Sequence, residues 1–326
     1  MHVPVIDLGP LRTGRGAADV AAALDEACRE VGFFCISGHG VDPALSAELE
    51  LQARAFFALP EREKARIAMS HGGRAWRGWF PVGGELTSGR PDRKEGLYFG
   101  DELPPDDPRV VAGRPLHGPN LFPAEPAGLR TVVLEWMAAM TDLCRVLMRG
   151  LGLALDLGDG WFEHHLTAEP ITLFRIFHYP PGSDDDWGVG EHTDYGLLTV
   201  LRQDDCGGLQ VESRHDWIDV PPDPDVFVCN IGDMLDRMTR GRYRSTPHRV
   251  RNTSGRGRLS FPFFFDPGWD AEVGPLPGMA PATDDAERRW DGANVHQWHG
   301  TYGSYLMARV AKVFPDLHAA VDRDRS

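Results

Sequence analysis

The second half of the chain holds a series of short β-forming segments, and this series most constrains the fold. Glycine or proline pairs such as Gly207-Gly208 and Pro221-Pro222 separate segments rich in β-branched and aromatic residues. The segments cover residues 171–178, 197–202, 209–212, 217–220, 226–230, 250–252 and 259–265. Short strands at near-regular spacing predict a β-sandwich or barrel, and about eight strands is a common jelly-roll size.

The first half of the chain reads mainly as helices. Apolar residues recur every three or four positions in the two clearest helices, 17–31 and 129–151. The pattern also predicts helices at 42–59, 61–67, 161–165 and 303–313, and strands at 3–8 and 33–37. The expected fold class is therefore α+β. We expect a single catalytic domain over 1–326, with an N-terminal helical and loop region (1–125), a jelly-roll core (170–270) and a C-terminal helix (300–320).

Residues 70–126 are rich in glycine and proline and show little periodicity, yet they contain several aromatic side chains. Long irregular stretches within a globular chain are usually functional or disordered, and aromatic residues argue against disorder. We therefore predict ordered loops that line a site, with a short strand near 96–99.

Charge and cysteine content exclude several classes of protein. The net charge is −14, from 34 basic and 48 acidic residues, which disfavours a uniform nucleic-acid-binding surface. The five cysteines are scattered and odd in number, unlike a disulfide framework or a zinc–thiolate site. No stretch of 18 apolar residues occurs, and residues 1–7 show no basic region followed by an apolar run, so we expect neither a membrane span nor a signal peptide. We expect a cytoplasmic monomer that acts on a small molecule and binds neither nucleic acid nor a membrane.

The most informative motif is His192-Thr193-Asp194, because residues two apart on a strand point to the same face. The pair alone is a weak signal in a chain with 13 histidines. His248, just before another predicted strand, is the best candidate for a third ligand. Two histidines and one carboxylate on one face of an octahedral ion leave open positions, as in iron(II) oxygenases. Zinc fits less well, because it cannot supply electrons to oxygen.

A second pair of residues predicts an anion site. Arg258 and Ser260 share a face of the last predicted strand, and together they can bind a carboxylate through two groups. An unpaired arginine inside an apolar barrel is costly, so an anionic partner is expected. A solvated surface arginine is the plainer interpretation, but the surrounding apolar residues 259, 261, 263 and 265 disfavour it.

In this order and spacing, the motifs resemble the iron(II)/2-oxoglutarate-dependent dioxygenases, in particular the branch similar to isopenicillin N synthase. The matching segments are VPVIDL at 3–8, GFF at 32–34, GHGV at 38–41, FFALP at 56–60, HYPP at 178–181, GEHTDYGL at 190–197, STPHRV at 245–250, RLS at 258–260 and TYGSYL at 301–306. The resemblance spans nearly the whole chain. Many plant members have asparagine at the position of Phe177, so any hydrogen bond made by that asparagine is absent here.

The resemblance implies a double-stranded β-helix with N-terminal helices packed against it. It implies Fe²⁺ at His192, Asp194 and His248, which would be the catalytic centre. It also implies that Arg258 and Ser260 hold the distal carboxylate of 2-oxoglutarate with help from the Tyr179 hydroxyl. The expected reaction is the oxidation, most simply the hydroxylation, of a small molecule with O₂, releasing succinate and CO₂.

Three alternatives stay open at this point. An isopenicillin N synthase-like oxidase would use no 2-oxoglutarate, and its Arg-x-Ser pair would bind a substrate carboxylate instead. The segments around His192 and Gly207 also resemble microbial ethylene-forming enzymes, which fragment 2-oxoglutarate itself. A binding protein with an inactive site is the third alternative, and the presence of every expected ligand disfavours it.

The candidate substrate residues come from the aromatic loop region and the last predicted strand. They are His71, Arg74, Trp76, Trp79, Tyr98, Phe263 and Phe265. Arg74 and Arg77 are candidates for binding an anionic substrate, although solvated loop arginines are as common. Phe263 and Phe265 are expected to share the strand face of the Arg-x-Ser pair and to wall the pocket.

Overall fold

The computed structural model describes residues 2–87, 89–182, 187–213, 216–280 and 299–313. Its helices are α1 (Gly9–Thr13), α2 (Ala17–Glu30), α3 (Pro43–Phe57), α4 (Glu61–Lys64), α5 (Pro108–Val111), α6 (Leu129–Ala154), α7 (Trp161–His165), α8 (Asp233–Met238) and α9 (Tyr302–Val313). Its strands are β1 (Val5–Asp7), β2 (Phe33–Ser37), β3 (Gly78–Phe80), β4 (Leu86–Thr87), β5 (Arg90–Pro91), β6 (Glu95–Gly100), β7 (Ile171–Tyr179), β8 (Val189–His192), β9 (Leu198–Gln203), β10 (Leu209–Glu212), β11 (Trp217–Val220), β12 (Phe227–Ile231), β13 (His248–Val250) and β14 (Arg258–Asp266).

Two sheets form the core. The larger has the strand order β1-β2-β12-β9-β14-β7-β6-β3, and the smaller has the order β11-β10-β13-β8. Apolar residues of both sheets form one buried cluster that includes Phe33 and Val228 of the larger sheet and Leu209 and Val211 of the smaller one. Two facing sheets around a shared apolar interior are the arrangement of a jelly roll, one form of β-sandwich, and they agree with the predicted α+β class and double-stranded β-helix.

The N-terminal helices cover the outer face of the larger sheet. Helix α6 packs against α2 and α3 on one side and against β7, β9 and β14 on the other. Its fully buried Trp136 lies with its ring centroid 5.8 Å from that of Phe227 and 6.3 Å from that of Phe174. This layer of helices fixes one face of the sheet and leaves the other face for the interior. Among the described residues, no helix is long and apolar enough to cross a membrane.

The side chains of β14 alternate between these two faces. Leu259, Phe261, Phe263 and Phe265 belong to the large apolar cluster shared with the helices. Arg258, Ser260, Pro262, Phe264 and Asp266 line the interior between the sheets instead. The period of two along a strand therefore puts every second residue of β14 into the cavity.

The structure differs from the sequence prediction in several segments, and it also contains helix α1 and strand β8, which were not predicted. Residues 70–126 contain more regular structure than expected, including β3, the hairpin β4–β5, β6 and α5. The strand predicted at 250–252 runs two residues earlier, as His248–Val250. Helix α8 was not predicted, because it has only six residues, too few for a clear periodic pattern, and its three charged residues are buried together with the apolar ones. Of the predicted C-terminal helix, residues 314–320 lie outside the described residues.

Candidate active site

Two neighbouring strands of the smaller sheet bring the predicted metal ligands together. His192 ends β8 and His248 begins β13, and the two residues are directly paired in the antiparallel register. Their ring centroids are 4.2 Å apart. Asp194 follows β8, and its Oδ1 lies 4.0 Å from Nε2 of His192 and 3.8 Å from Nε2 of His248. These distances are too long for hydrogen bonds but suit three ligands around one ion.

Hydrogen bonds outside the triad orient all three side chains. Nδ1 of His192 donates to the carbonyl of Gly190 at 2.9 Å, which leaves its Nε2 free for the interior. Nδ1 of His248 makes the corresponding bond to the carbonyl of Thr246 at 3.3 Å. Such bonds fix the tautomer of a metal-binding histidine.

The carboxylate of Asp194 is oriented in the same way by the larger sheet. Its Oδ2 accepts hydrogen bonds from Oγ1 of Thr199 at 2.6 Å and from Nδ2 of Asn230 at 2.7 Å. Oδ1 is therefore the oxygen that faces the two imidazoles. Thr199 and Asn230 were not predicted from the sequence.

The protonation states favour a divalent cation. Burial lowers the pKa of His192, and burial together with the neighbouring His192 lowers the pKa of His248 to about 4. Burial opposes ionisation of Asp194, but the imidazoles and the bonds from Asn230 and Thr199 keep its pKa below its usual value. Two neutral imidazoles and one carboxylate with free, converging ligand atoms fit an iron(II) site.

The predicted anion site lies further along the same cavity. Arg258 is fully buried, and its Nε donates to the carbonyl of Gly207 at 2.5 Å while Nη2 donates to Oε1 of Gln203 at 3.2 Å. Its Nη1 has no hydrogen-bond partner, and no carboxylate of the described residues forms an ion pair with it. Oγ of Ser260 lies 3.4 Å from the hydroxyl of Tyr179, so the structure brings all three predicted residues together.

The predicted substrate residues separate into two groups. Tyr98, Trp76 and Arg77 line the cavity that contains the triad. His71 is exposed and bonds the carbonyl of Arg66, and Arg74 donates to the carbonyl of Gly113 at 2.8 Å. Neither of these two side chains lines the cavity.

The structure also places three predicted aromatic residues outside the cavity. Trp79 is paired with Leu97 rather than Tyr98, so it faces the apolar cluster, where its Nε1 donates to Glu95 at 2.9 Å. The expectation that Phe263 and Phe265 share the face of Ser260 is wrong. They lie an odd number of positions from Ser260, and Phe264 lines the cavity instead.

Several charged residues of the cavity were missed. Lys94 is buried between two carboxylates, with its Nζ 2.8 Å from Oε2 of Glu85 and in contact with Asp92. Burial opposes its charge, but Glu85 and Asp92 raise its pKa above the ordinary value. Arg175 also lines the cavity. Strand alternation from Tyr179 could have identified it, since the two residues are four positions apart.

Two family models match the chain. Residues 3–125 match the N-terminal region of the non-haem dioxygenases in morphine synthesis, and residues 170–267 match the 2OG-Fe(II) oxygenase superfamily. A probable iron/ascorbate oxidoreductase of Dictyostelium discoideum is 46% identical, covering 91% of this chain and 90% of its own length. A homoarginine-6-hydroxylase of Oryza sativa subsp. japonica is 37% identical, covering 96% of this chain and 97% of its own.

A solved structure has the same architecture. A full-length protein of Neurospora crassa, crystallised with alpha-KG and thymine, superposes with a TM-score of 0.79 at 26% identity, covering 95% of this chain and 96% of that one. The fold, the His-Asp-His triad and the matches over nearly the full length agree. The chain therefore belongs to the 2OG-Fe(II) oxygenase superfamily, and it is a non-haem iron(II) enzyme that oxidises a small molecule with 2-oxoglutarate and O₂.

Proposed function

We propose that the enzyme hydroxylates a small organic substrate, with iron(II) held by His192, Asp194 and His248. Arg258 and Ser260 bind the distal carboxylate of 2-oxoglutarate, and the Tyr179 hydroxyl supports Ser260. Iron supplies the binding and activation of O₂ when it is present. The protein itself orients the reactants and excludes water around them.

The guanidinium of Arg258, which has no carboxylate partner among the described residues and an unused Nη1, is the observation that supports this proposal. A fully buried arginine with an unused Nη1 is costly unless an anion completes its bonds. A carboxylate that accepts from Nη1 and from the hydroxyl of Ser260 satisfies both groups. A dicarboxylate held there at one end can direct its other end to the metal, since Arg258 and the triad line one cavity.

Homoarginine is the first substrate to test. Three plant relatives, 35% to 37% identical over nearly their whole length, are named homoarginine-6-hydroxylases. An amino acid of this kind is within the class of small organic molecules that the cavity suits.

We also propose that the enzyme works as a cytoplasmic monomer formed by one catalytic domain, and that its acidic charge disfavours nucleic acid as substrate.

Oxygen consumption and succinate release, measured with and without 2-oxoglutarate, test the proposed function. We expect succinate to form only with 2-oxoglutarate, and Arg258→Met to raise the KM for 2-oxoglutarate about 10- to 100-fold, because it removes a charged hydrogen-bond donor. Arg256→Met is the matched control, since Arg256 is exposed and paired with Asp205. Oxygen uptake with substrate alone and no succinate would contradict the proposal and favour an oxidase that uses no 2-oxoglutarate.

A further inference from the structure

The inward-facing residues of β7 extend the cavity away from Arg258. Tyr179 is paired with Arg258 in the sheet register, and Arg175 lies four residues earlier on the same face. Four residues span about 13 Å along a strand. Arg175 therefore marks a part of the cavity that is distinct from the proposed site of the distal carboxylate.

Aromatic rings hold the side chain of Arg175 in place. Its guanidinium carbon lies 3.5 Å from the ring centroid of Tyr98 and 5.2 Å from that of Phe264. Glu85 and Asp266 are near enough to interact with its charge, but among the described residues it forms no hydrogen bond and no ion pair. Cation–π contacts fix the guanidinium plane and leave its N–H donors unused.

Two further donors of the same cavity are also unused. The Nε1 of Trp76 and the Nε of Arg77 are buried without an acceptor. Arg77 is anchored by Nη2, which donates to the carbonyl of Leu116 at 2.7 Å. Its guanidinium lies against Gly100, where an added Cβ would be 2.0 Å from Nη2.

The backbone of Trp76 adds an indication of function. Its φ of 49° and ψ of 54° place this bulky residue in the left-handed region. Such a conformation is strained and is found preferentially at functional sites. Trp76 lines the cavity and precedes Arg77 in the chain.

The other cations of the cavity already have partners. Lys94 is matched by Glu85 and Asp92, and Arg258 is assigned to 2-oxoglutarate under the proposed function. Apart from Oε2 of Glu85, which forms an ion pair with Lys94, the unused groups around Arg175 are donors, and two of them are cationic. Nearby carboxylates such as Asp101 and Glu85 offset part of this charge but accept no hydrogen bond from these donors, so an acceptor that carries negative charge would complete their bonds.

We infer that Arg175, with Arg77 and the indole N–H of Trp76, binds the carboxylate of the primary substrate. This inference rests on the proposed function and narrows the substrate class to small organic acids, including amino acids. The planar guanidinium matches a carboxylate through two parallel bonds. Tyr98 and Phe264 provide an apolar wall beside it for the carbon skeleton.

Succinate release with matched acids and amides tests this assignment. The probes are L-homoarginine, indole-3-acetate and phenylacetate, each compared with its own carboxamide. We expect the wild-type enzyme to prefer an acid over its amide. Arg175→Met should raise the KM for that acid about 10- to 100-fold, with a much smaller effect on kcat, because a charged hydrogen bond is lost.

Two further variants make the result specific. Trp76→Phe keeps an aromatic side chain and removes only the N–H donor, so it should raise the KM for the acid about 5- to 10-fold. Arg74→Met is the matched control, because Arg74 is close in sequence but does not line the cavity. Calorimetric titration of the acid into the zinc-loaded protein with 2-oxoglutarate bound gives a readout that does not depend on turnover.

The outcomes distinguish three situations. A rise confined to the KM and dissociation constant of the acid supports the inference. A rise in the KM for 2-oxoglutarate alone would mean that Arg175 binds the co-substrate. Equal use of acids and amides by the wild-type enzyme would mean that no substrate carboxylate is bound. Either result would overturn the inference. If the wild-type enzyme forms no succinate from 2-oxoglutarate under any condition, the proposed function itself has failed.

Discussion

Asp194 uses its two carboxylate oxygens for different purposes. Oδ1 faces the histidines, and Oδ2 accepts from Thr199 and Asn230, which belong to strands of the opposite sheet. The two hydrogen bonds fix the side-chain torsions of Asp194 and stabilise its ionised form. Residues of this kind are often as necessary for metal affinity as the ligands themselves.

Removal of the Asn230 amide should therefore weaken iron binding without removing a ligand. We expect Asn230→Ala to lower the iron affinity about 10- to 100-fold, because Asp194 loses a hydrogen bond that orients it. Anaerobic iron titration measures the change. Asn120→Ala is the control, since Asn120 is equally buried but bonds the backbone of Gly100. Equal losses in both variants would point to a general effect on stability.

At this scale, the sequence identified the residues that carry a characteristic spacing. His192 with Asp194, and Arg258 with Ser260, are each two positions apart in segments that read as extended, so each pair was readable without a structure. Thr199, Asn230 and Arg175 are polar residues within largely apolar strands, and none of them belongs to a pair with a characteristic spacing. The partners of Asn230 and Arg175, Asp194 and Tyr98, come from distant parts of the chain, and only the folded sheet brings them together.

The two faces of strand β14 have different roles: one face packs in the apolar core, and the other lines the cavity. Phe263 is fully buried in the large apolar cluster on the helix side, whereas the adjacent Phe264 lines the cavity and contacts the guanidinium of Arg175. Two identical side chains in succession can therefore serve different purposes because a strand alternates its faces.

The variants Phe263→Ala and Phe264→Ala should differ in which property they change: the first should mainly lower stability, and the second should mainly raise the KM for the substrate. Phe263→Ala should lower the free energy of unfolding by about 3–5 kcal/mol, because it leaves a cavity in the core. Phe264→Ala should cost less stability and should raise the KM for the substrate instead, because it removes part of the binding wall. Urea denaturation and steady-state kinetics measure the two effects. Similar stability losses and unchanged KM values would refute the division of faces.

The elements that sequence patterns described well are those with one clear apolar face. Helices α2 and α6 and strands β10 and β11 were predicted within a few residues of their ends. Helix α8 and the hairpin β4–β5 were missed. The helix is buried all round and the hairpin strands have two residues each, so neither shows a periodic pattern long enough to detect.

The site joins the two sheets of the molecule. His192 and His248 come from the smaller sheet, while Asp194 is bonded to β9 and β12 of the larger one. A metal ion at the triad would add a further link between the two sheets, beside the hydrogen bonds that Thr199 and Asn230 make to Asp194. Its binding free energy should therefore appear as stability of the whole fold.

Removal of the metal should lower the melting temperature of the whole molecule in one transition. At a free metal concentration 100 times the dissociation constant, the stabilisation is about 2.7 kcal/mol, which corresponds to a shift of about 4 °C for a chain of this size. Zinc in place of iron allows the measurement in air by scanning calorimetry, before and after chelation. In Asp194→Ala, metal should change the melting temperature only slightly. The control Asp107→Ala removes the N-cap side chain of α5, and it should keep the full metal-dependent shift in melting temperature. An equal shift in both variants would mean that the stabilising ion binds elsewhere.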